Sequence, residues 1–295
     1  MQVEVVLPHR CIVGEGPFWD AKRNTICWVD SIRGEIHEYA TASKQHNIIP
    51  VGQMIGSAVI CADGNFLAAL AGGIGYVDRE SGEVALVASP ESDLPGNRFN
   101  DGKCGPDGKF WAGTMSHVYE PEMGNFYVFD QNHNISRKMT KIGISNGMAW
   151  SLDHRRFYYI DTLAHNVVAY DYDKNTSEIT NKRVVIDIPK EDGYPDGMTM
   201  DTEGMLWIAH WGGWQVTRWN PDTGEKLLSI PFPVSRVSCC TFGGENLEDL
   251  YVTTASRELT DEELAEQPLS GSLFVVKNIG FKGLPLFEFG TGTAD

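Results

Sequence analysis

Two carboxylates, two amides and two serines occupy matching places in six copies of one sequence pattern. The pattern is a polar residue, a short apolar run, a turn and a second apolar run. Asp196 opens the copy DGMTMDTEGMLWIAH. Its Asp-Gly and Glu-Gly steps indicate a hairpin, because glycine adopts the positive φ that tight turns need. The six residues at this place are Glu15, Ser57, Asn100, Asn146, Asp196 and Ser238.

Oxygen donors of this kind suit a divalent cation if the fold brings them together. Buried carboxylates that approach one another repel and lose hydration unless a cation joins them. Carboxylate and amide oxygens bind hard divalent ions, and borderline ions more weakly. We therefore predict one metal ion held by Glu15, Asn146 and Asp196, with positions left for water and substrate. These ligands leave open Ca²⁺, Mg²⁺, Mn²⁺, Zn²⁺ and Fe²⁺.

The plainer alternative is that these residues are turn formers, or are polar because water fills a channel. Four carboxylate or amide residues in register, with serine in the other two copies, favour the metal site over this alternative.

The spacing of the copies predicts the fold. They recur at roughly 40 to 50 residues, the length of a β-propeller blade, and are rich in Trp, Tyr, Phe, Val and Ile rather than helix formers. We predict an all-β protein: a six-bladed β-propeller with four-stranded antiparallel blades around a central channel. It forms a single domain over residues 1–295. The first strand of a blade lines the channel, so the six polar residues point toward the axis.

Several segments have predicted places in this ring. Residues 1–7 form a strand that completes the sheet containing residues 271–277 and closes the ring. The first blade covers residues 12–41 and the sixth covers residues 237–289. Residues 259–267 contain a helix, because Thr and Glu stand at the two positions of a capping box.

Composition excludes several classes of partner. The formal net charge of −16 opposes binding to nucleic acid or to an anionic membrane. No apolar run is long enough for a transmembrane helix, and no secretory leader is expected. Most of the six cysteines lie in apolar segments that we predict to be strands. They form no C-x-x-C pair and no cysteine–histidine metal spacing. We therefore expect reduced, buried thiols in a cytoplasmic protein that is a monomer or a weak homo-oligomer.

Five short motifs occur in a recognisable order, and together they are specific. The chain resembles the SMP-30/gluconolactonase/LRE family over essentially its whole length. The motifs that carry the resemblance are GEGP at 14–17, NRFNDG at 97–102, SNG at 145–147, FYYID at 157–161 and YPDG at 194–197.

The resemblance implies a six-bladed propeller with one divalent metal that hydrolyses aldono-lactones to aldonic acids. It implies metal ligands at Glu15, Asn146 and Asp196, the set also favoured by the repeat. It further implies substrate contacts from Arg98 and Asn100. Regucalcin-like members carry acidic residues after a Gly-Thr-Met step, whereas this chain continues with Ser-His-Val at 116–118. We expect His117 to contact the substrate in this divergent loop.

Opening a lactone requires carbonyl polarisation, an activated water and a proton for the leaving alkoxide. The metal supplies the first, and we predict that Asp196 relays the proton. A serine route is disfavoured because no G-x-S-x-G step is present. Two other functions stay open: a phosphotriesterase-type propeller hydrolase and a non-catalytic calcium-binding propeller. The sequence leaves undetermined the sugar lactone, its ring size and the resident metal.

Overall fold

Six antiparallel sheets of four strands each follow one another along the chain in a computed structural model, which describes residues 1–291. The predicted six-bladed propeller is confirmed. The assignment of all of residues 1–295 to one domain stays a prediction, since residues 292–295 lie outside the described part.

Each blade is built in chain order from its innermost strand outward. Blade one consists of β2 (Gly14–Asp20), β3 (Thr25–Asp30), β4 (Glu35–Ala40) and β5 (Gln45–Pro50). Blade two consists of β6 (Ile55–Ile60), β7 (Phe66–Leu70), β8 (Gly73–Val77) and β9 (Val84–Ala88). Blade three consists of β10 (Asn97–Cys104), β11 (Phe110–Ser116), β12 (Gly124–Phe129) and β13 (Ile135–Ile142).

The second half of the chain repeats this arrangement. Blade four consists of β14 (Ser145–Trp150), β15 (Arg156–Asp161), β16 (Asn166–Asp173) and β17 (Glu178–Asp187). Blade five consists of β18 (Tyr194–Met200), β19 (Leu206–Trp211), β20 (Gln215–Asn220) and β21 (Glu225–Pro231). Blade six takes three strands from the C-terminal part of the chain: β22 (Val237–Gly243), β23 (Asp249–Thr254) and β24 (Leu273–Lys277). Short 3-10 helices cover Thr162–Ala164 and Lys190–Asp192.

The fourth strand of blade six comes from the other end of the chain. Strand β1 (Gln2–Leu7) pairs antiparallel with β24, with Gln2 opposite Lys277 and Val5 opposite Phe274. The predicted ring closure is confirmed. The predicted helix is also present as α1 (Asp261–Glu266), where Thr260 and Glu263 form both hydrogen bonds of the capping box.

Two predicted blade limits were wrong. Blade one continues beyond residue 41, because β5 adds an outer edge strand whose mostly exposed residues lack clear alternation. Blade six ends at β24, and residues 278–291 leave it to run across one end of the ring. This segment forms bridges from Gly283 to Asp201 of blade five and from Phe289 to Cys61 of blade two.

Apolar layers between neighbouring blades hold the ring together. Six buried clusters are present among residues 1–291, and each joins two adjacent sheets, including blade six to blade one. Trp28, Trp111 and Trp207 are fully buried in three of these layers. Burial of a large apolar side chain contributes about 1.5–3 kcal/mol, so these layers fix the blades around the axis.

The six cysteines are all buried and unpaired, as the sequence predicts. Among residues 1–291, no helix has the length and apolar character to cross a membrane.

Candidate metal centre

The innermost strand of every blade is irregular at the place predicted for the polar residue. A β-bulge inserts an unpaired residue and changes the direction of nearby side chains, a device common beside active sites. The six bulges lie between Glu15 and Phe18, Ile55 and Ser57, Phe99 and Gly102, Asn146 and Met148, Pro195 and Met198, and Val237 and Cys239.

Hydrogen bonds join these bulged segments from blade to blade. The Ser238 hydroxyl donates to the carbonyl of Gly14 at 2.6 Å. The Asn100 amide donates to the carbonyl of Ser145 at 2.9 Å and to Oδ1 of Asn146 at 3.2 Å. The six predicted positions therefore lie on the six innermost strands, next to one another around the axis.

Glycine follows three of the polar residues for a reason that the sequence analysis did not identify. Gly197 and Gly147 lie inside strands rather than in hairpin turns. A Cβ at Gly197 would lie 2.1 Å from the Cys239 sulfur, and one at Gly147 would lie 2.7 Å from the carbonyl oxygen of Asp196. The Asp-Gly and Asn-Gly steps thus permit close approach of neighbouring blades, whereas Gly204 of the Glu-Gly step belongs to the hairpin turn, with a φ of +80°.

Two carboxylates are buried together at this centre. Glu15 and Asp196 are 8% and 5% exposed. Burial, and then the charge of Asp101, raises the pKa of Glu15 to about 8. Burial, and then the charges of Glu15 and Asp101, holds the pKa of Asp196 well above its ordinary value. A divalent cation would compensate this concentration of buried negative charge.

The free oxygen atoms also fit a cation. Oδ1 of Asp196 is buried and has no hydrogen-bond partner among the described residues. One oxygen of Glu15 accepts the Gly16 N–H at 2.9 Å. Buried polar atoms are nearly always paired, so an orphaned carboxylate oxygen beside a second carboxylate is the arrangement expected of metal ligands.

The side chain of Asn146 is oriented by a residue that the sequence analysis missed. Its Nδ2 donates to the Thr162 hydroxyl at 2.8 Å, and that hydroxyl donates to the carbonyl of Pro195 at 2.9 Å. With Nδ2 held in this way, Oδ1 of Asn146 accepts from Asn100 in the centre of the ring. Thr162 follows β15 at a helical turn and lies outside the repeated positions, so the repeat gave no signal for it.

Arg98 and His117 lie together beside the centre. Nη1 of Arg98 donates to Oδ1 of Asn100 and to the carbonyl of Phe99, both at 2.9 Å. Both residues are half-buried and line a cavity of about 300 Å³ with Phe99 and Thr114. Burial, and then the charge of Arg98, lowers the pKa of His117, so its imidazole is neutral near pH 7.

Known proteins share both the sequence and this architecture. A family model for the SMP-30/gluconolactonase/LRE-like region matches residues 13–256. This chain belongs to that family. Regucalcin from Danio rerio is 37% identical to it over 291 residues, which is 98% of either chain. The resemblance carried by the five motifs is confirmed, and a lactonase-type propeller is the class that it supports.

Two solved structures are similar over nearly the whole chain. A luciferin-regenerating enzyme has a TM-score of 0.91 and 31% identity, covering 97% of this chain and 98% of its own. A calcium-binding protein, regucalcin from Agrobacterium tumefaciens, has the same TM-score and identity and covers 96% of both chains.

The loop that contains His117 reaches across the ring. Residues 117–123 join β11 to β12. The Tyr119 hydroxyl donates to Glu258 at 3.0 Å, and the Arg257 guanidinium lies 5.7 Å from the centre of the Tyr119 ring. Because blades three and six are opposite in a ring of six, this loop spans the channel on the side of Arg98 and His117.

The far ends of the innermost strands form a second opening that the sequence analysis did not foresee. A cavity of about 520 Å³ is lined there by Asp101 and Lys103 and by Leu284 and Phe287 of the terminal segment. Nζ of Lys103 donates to the carbonyl of Met198 at 2.8 Å. Asp101 is buried, so it adds a third carboxylate charge below Glu15 and Asp196.

Proposed function

We propose that this protein is a divalent-metal-dependent hydrolase that opens sugar lactones to aldonic acids. Membership of a lactonase-type family supports the reaction class. The proposal is supported by two buried carboxylates, since burial and then the charge of Glu15 raise the pKa of Asp196. It is also supported by an oriented amide on a neighbouring inner strand, with Oδ1 of Asp196 unpartnered within residues 1–291.

Glu15, Asn146 and Asp196 would hold one divalent ion. When bound, such an ion supplies Lewis-acid polarisation of the lactone carbonyl. The oxygen donors admit Ca²⁺, Mg²⁺, Mn²⁺, Zn²⁺ or Fe²⁺. Separate addition of each metal to chelator-treated protein identifies the one that supports lactone opening.

Asp196 also moves the proton in this proposal. A water molecule adds to the lactone carbonyl carbon, and Asp196 takes the proton that the water loses. The ring C–O bond then breaks, and Asp196 returns the proton to the leaving alkoxide. One carboxylate oxygen of Asp196 would face the ion, and the other would carry the proton.

Arg98, Asn100 and His117 would bind the sugar. The hydrogen bonds that Arg98 forms within residues 1–291 all come from Nη1, so its other N–H groups are available to hydroxyl or carbonyl oxygens. A neutral His117 both donates and accepts, and hydroxyl groups require partners of both kinds. Regucalcin-like members carry an acidic contact at this place, whereas this chain has Ser-His-Val at 116–118. We therefore propose that this chain has its own preference among sugar hydroxyl groups.

The remaining features agree with a small neutral substrate. A net charge of −16 repels the anionic product as well as nucleic acid and anionic membranes, none of which we propose as partners. Six buried free thiols favour a reducing compartment, and we propose the cytoplasm as the place of action. We propose a monomer or weak homo-oligomer.

The test is a panel of five- and six-membered aldono-lactones, assayed by acid release. The protein is first treated with a chelator and then supplied separately with each of the five metals. Ring opening that requires a metal, and that is absent in Asp196→Ala, supports the proposal. A p-nitrophenyl phosphotriester in the same panel measures the phosphotriesterase alternative. Metal binding without metal-stimulated opening of any lactone would overturn the proposal in favour of a calcium-binding propeller.

A further inference from the structure

Three metal-ligand side chains meet at the seam where the ring closes, far from the repeated positions. His9 and Cys11 lie between β1 of blade six and β2 of blade one, and His37 lies on β4. One ligand atom from each residue lies within 4.8 Å of the others. Cys11 and His37 are 1% and 0% exposed, and His9 is half-buried.

Buried atoms in this group lack partners. Nε2 of His9, Nε2 of His37 and an oxygen of Glu35 are buried without a hydrogen bond among the described residues. The Glu35 oxygen lies 3.3 Å from Nε2 of His37. Two ligands about 2.0–2.1 Å from one tetrahedral ion are themselves roughly 3.3 Å apart. Three orphaned atoms beside a thiol indicate one missing partner that they share.

Neighbouring groups hold the ligands in place. Nδ1 of His37 forms a hydrogen bond with Nε2 of His46 at 3.0 Å, which leaves Nε2 of His37 for a ligand. The ring of His37 also stacks on Trp28 with a centroid distance of 4.9 Å. The indole N–H of Trp28 donates to the Cys11 sulfur at 3.4 Å and favours its thiolate form. Metal-binding histidines and cysteines are generally oriented by such outer contacts.

We propose that His9, Cys11 and His37 bind a structural Zn²⁺ ion at this seam, and that Glu35, whose carboxylate lies beside His37, turns toward the ion as the fourth ligand. Nitrogen and sulfur ligands select zinc and related ions over calcium or magnesium. Four protein ligands close the coordination sphere, which is typical of a structural rather than a catalytic ion.

The three residues of the group need only a small closure. Ligand atoms of one zinc ion lie roughly 3.3–3.8 Å apart, so the widest separation among His9, Cys11 and His37 must shorten by about 1 Å. His9 can supply this movement because residues 8–11 form no strand. Glu35 lies outside this group and must make a larger side-chain movement. The backbone N–H of Cys11 is fixed by the carbonyl of Gly271 at 3.0 Å.

Binding is linked to proton release and to stability. The Cys11 thiol loses its proton to solvent as the sulfur–zinc bond forms. Because the ligands connect the segment after β1 to blade one, the ion stabilises the closed ring.

The experiment is a Co²⁺ titration of the full chain, followed by absorption. A tetrahedral site with a thiolate gives a sulfur-to-Co²⁺ charge-transfer band in the near ultraviolet, which an all-oxygen site in the channel cannot give. We expect this band in the wild type and in Asp196→Asn. It is lost in Cys11→Ser and His9→Gln and retained in the control Cys61→Ser, which removes another buried thiol.

A second readout separates ligand loss from misfolding. Zn²⁺ raises the Tm of Asp196→Asn, whose channel site is disabled, but not that of the double variant Asp196→Asn/His9→Gln, in which the half-buried position of His9 favours a folded protein. His46→Ala weakens zinc binding about 10–100-fold, since it removes only an orienting contact. Absence of the band from the wild type, or its persistence in Cys11→Ser, would overturn the proposal whatever the outcome of the lactone assays.

Discussion

The channel centre and the seam between blades one and six bring ligand-type side chains together in opposite ways. The channel uses oxygen atoms from residues at one repeated position on bulged inner strands. The seam uses nitrogen and sulfur from His9, Cys11 and His37, which the chain reaches only by closing the ring. The first arrangement lies beside the cavity lined by Arg98 and His117, whereas the second is closed in by Trp28 and Glu35. Repetition therefore builds the candidate catalytic centre, and the one non-repeated junction builds the candidate structural one.

Removal of the channel carboxylate should have the largest effect. We expect Asp196→Asn to reduce kcat for a lactone about 10²–10⁴-fold, because the variant cannot take up the proton. Its near-ultraviolet circular dichroism should match that of the wild type. The control is Asp222→Asn, an exposed carboxylate paired with Arg156, which should keep wild-type kinetics. Full activity in Asp196→Asn would remove this residue from the mechanism.

A buried histidine outside both sites should control acid sensitivity. His210 is fully buried, its Nε2 lies 2.6 Å from the Thr217 hydroxyl, and burial lowers its pKa to about 4. In the unfolded chain the pKa is about 6.5, so the stability that this neutral imidazole provides is complete above about pH 6.5. It is lost as the pH falls toward 4, by about 3 kcal/mol in total.

Urea unfolding between pH 7 and 4 measures this loss. His210→Gln should flatten the acid limb, whereas the control His133→Asn, at an exposed position, should leave it unchanged. An acid limb unchanged in His210→Gln would contradict this prediction.

Neutralising a channel carboxylate should weaken metal binding and stabilise the metal-free protein. In chelator at pH 7, we expect Glu15→Gln to be more stable than the wild type by about 1–3 kcal/mol, because folding must protonate the wild-type carboxyl or bury its charge, whereas the amide requires neither. With metal at about 100 times the wild-type Kd, the wild type gains about 2.7 kcal/mol, and the difference disappears or reverses. Urea titrations with and without metal measure both values. Equal free energies of unfolding for the two proteins in chelator would show that the buried Glu15 carboxyl does not destabilise the wild type.

Substitution of the half-buried arginine should have the smallest effect of the four. We expect Arg98→Lys to raise KM for a lactone about tenfold with little change in kcat, because a lysine cannot replace several guanidinium contacts at once. The matched control is Arg183→Lys, which alters an exposed pair with Asp171. An unchanged KM would place Arg98 at the rim of the channel with a purely structural role.

The sequence revealed the channel because the channel is repeated. Glu15, Asn146 and Asp196 share a position in copies of one pattern, so their placement on inner strands followed from the repeat. The bulges and the Thr162 contact did not follow, since both depend on how neighbouring blades approach. The seam group was missed because His37 lies on a different strand from His9 and Cys11, outside any short-range spacing. The sequence pattern assigned residues 278–289 to blade six because their apolar residues resemble those of a β-strand.

The most direct test of the central claim is anomalous diffraction from crystals of the full chain grown with Mn²⁺. The account predicts one anomalous peak on the axis, within bonding distance of oxygen atoms of Glu15, Asn146 and Asp196. Ordered density for these three side chains with no peak between them, at a Mn²⁺ concentration that supports lactone opening, would contradict it.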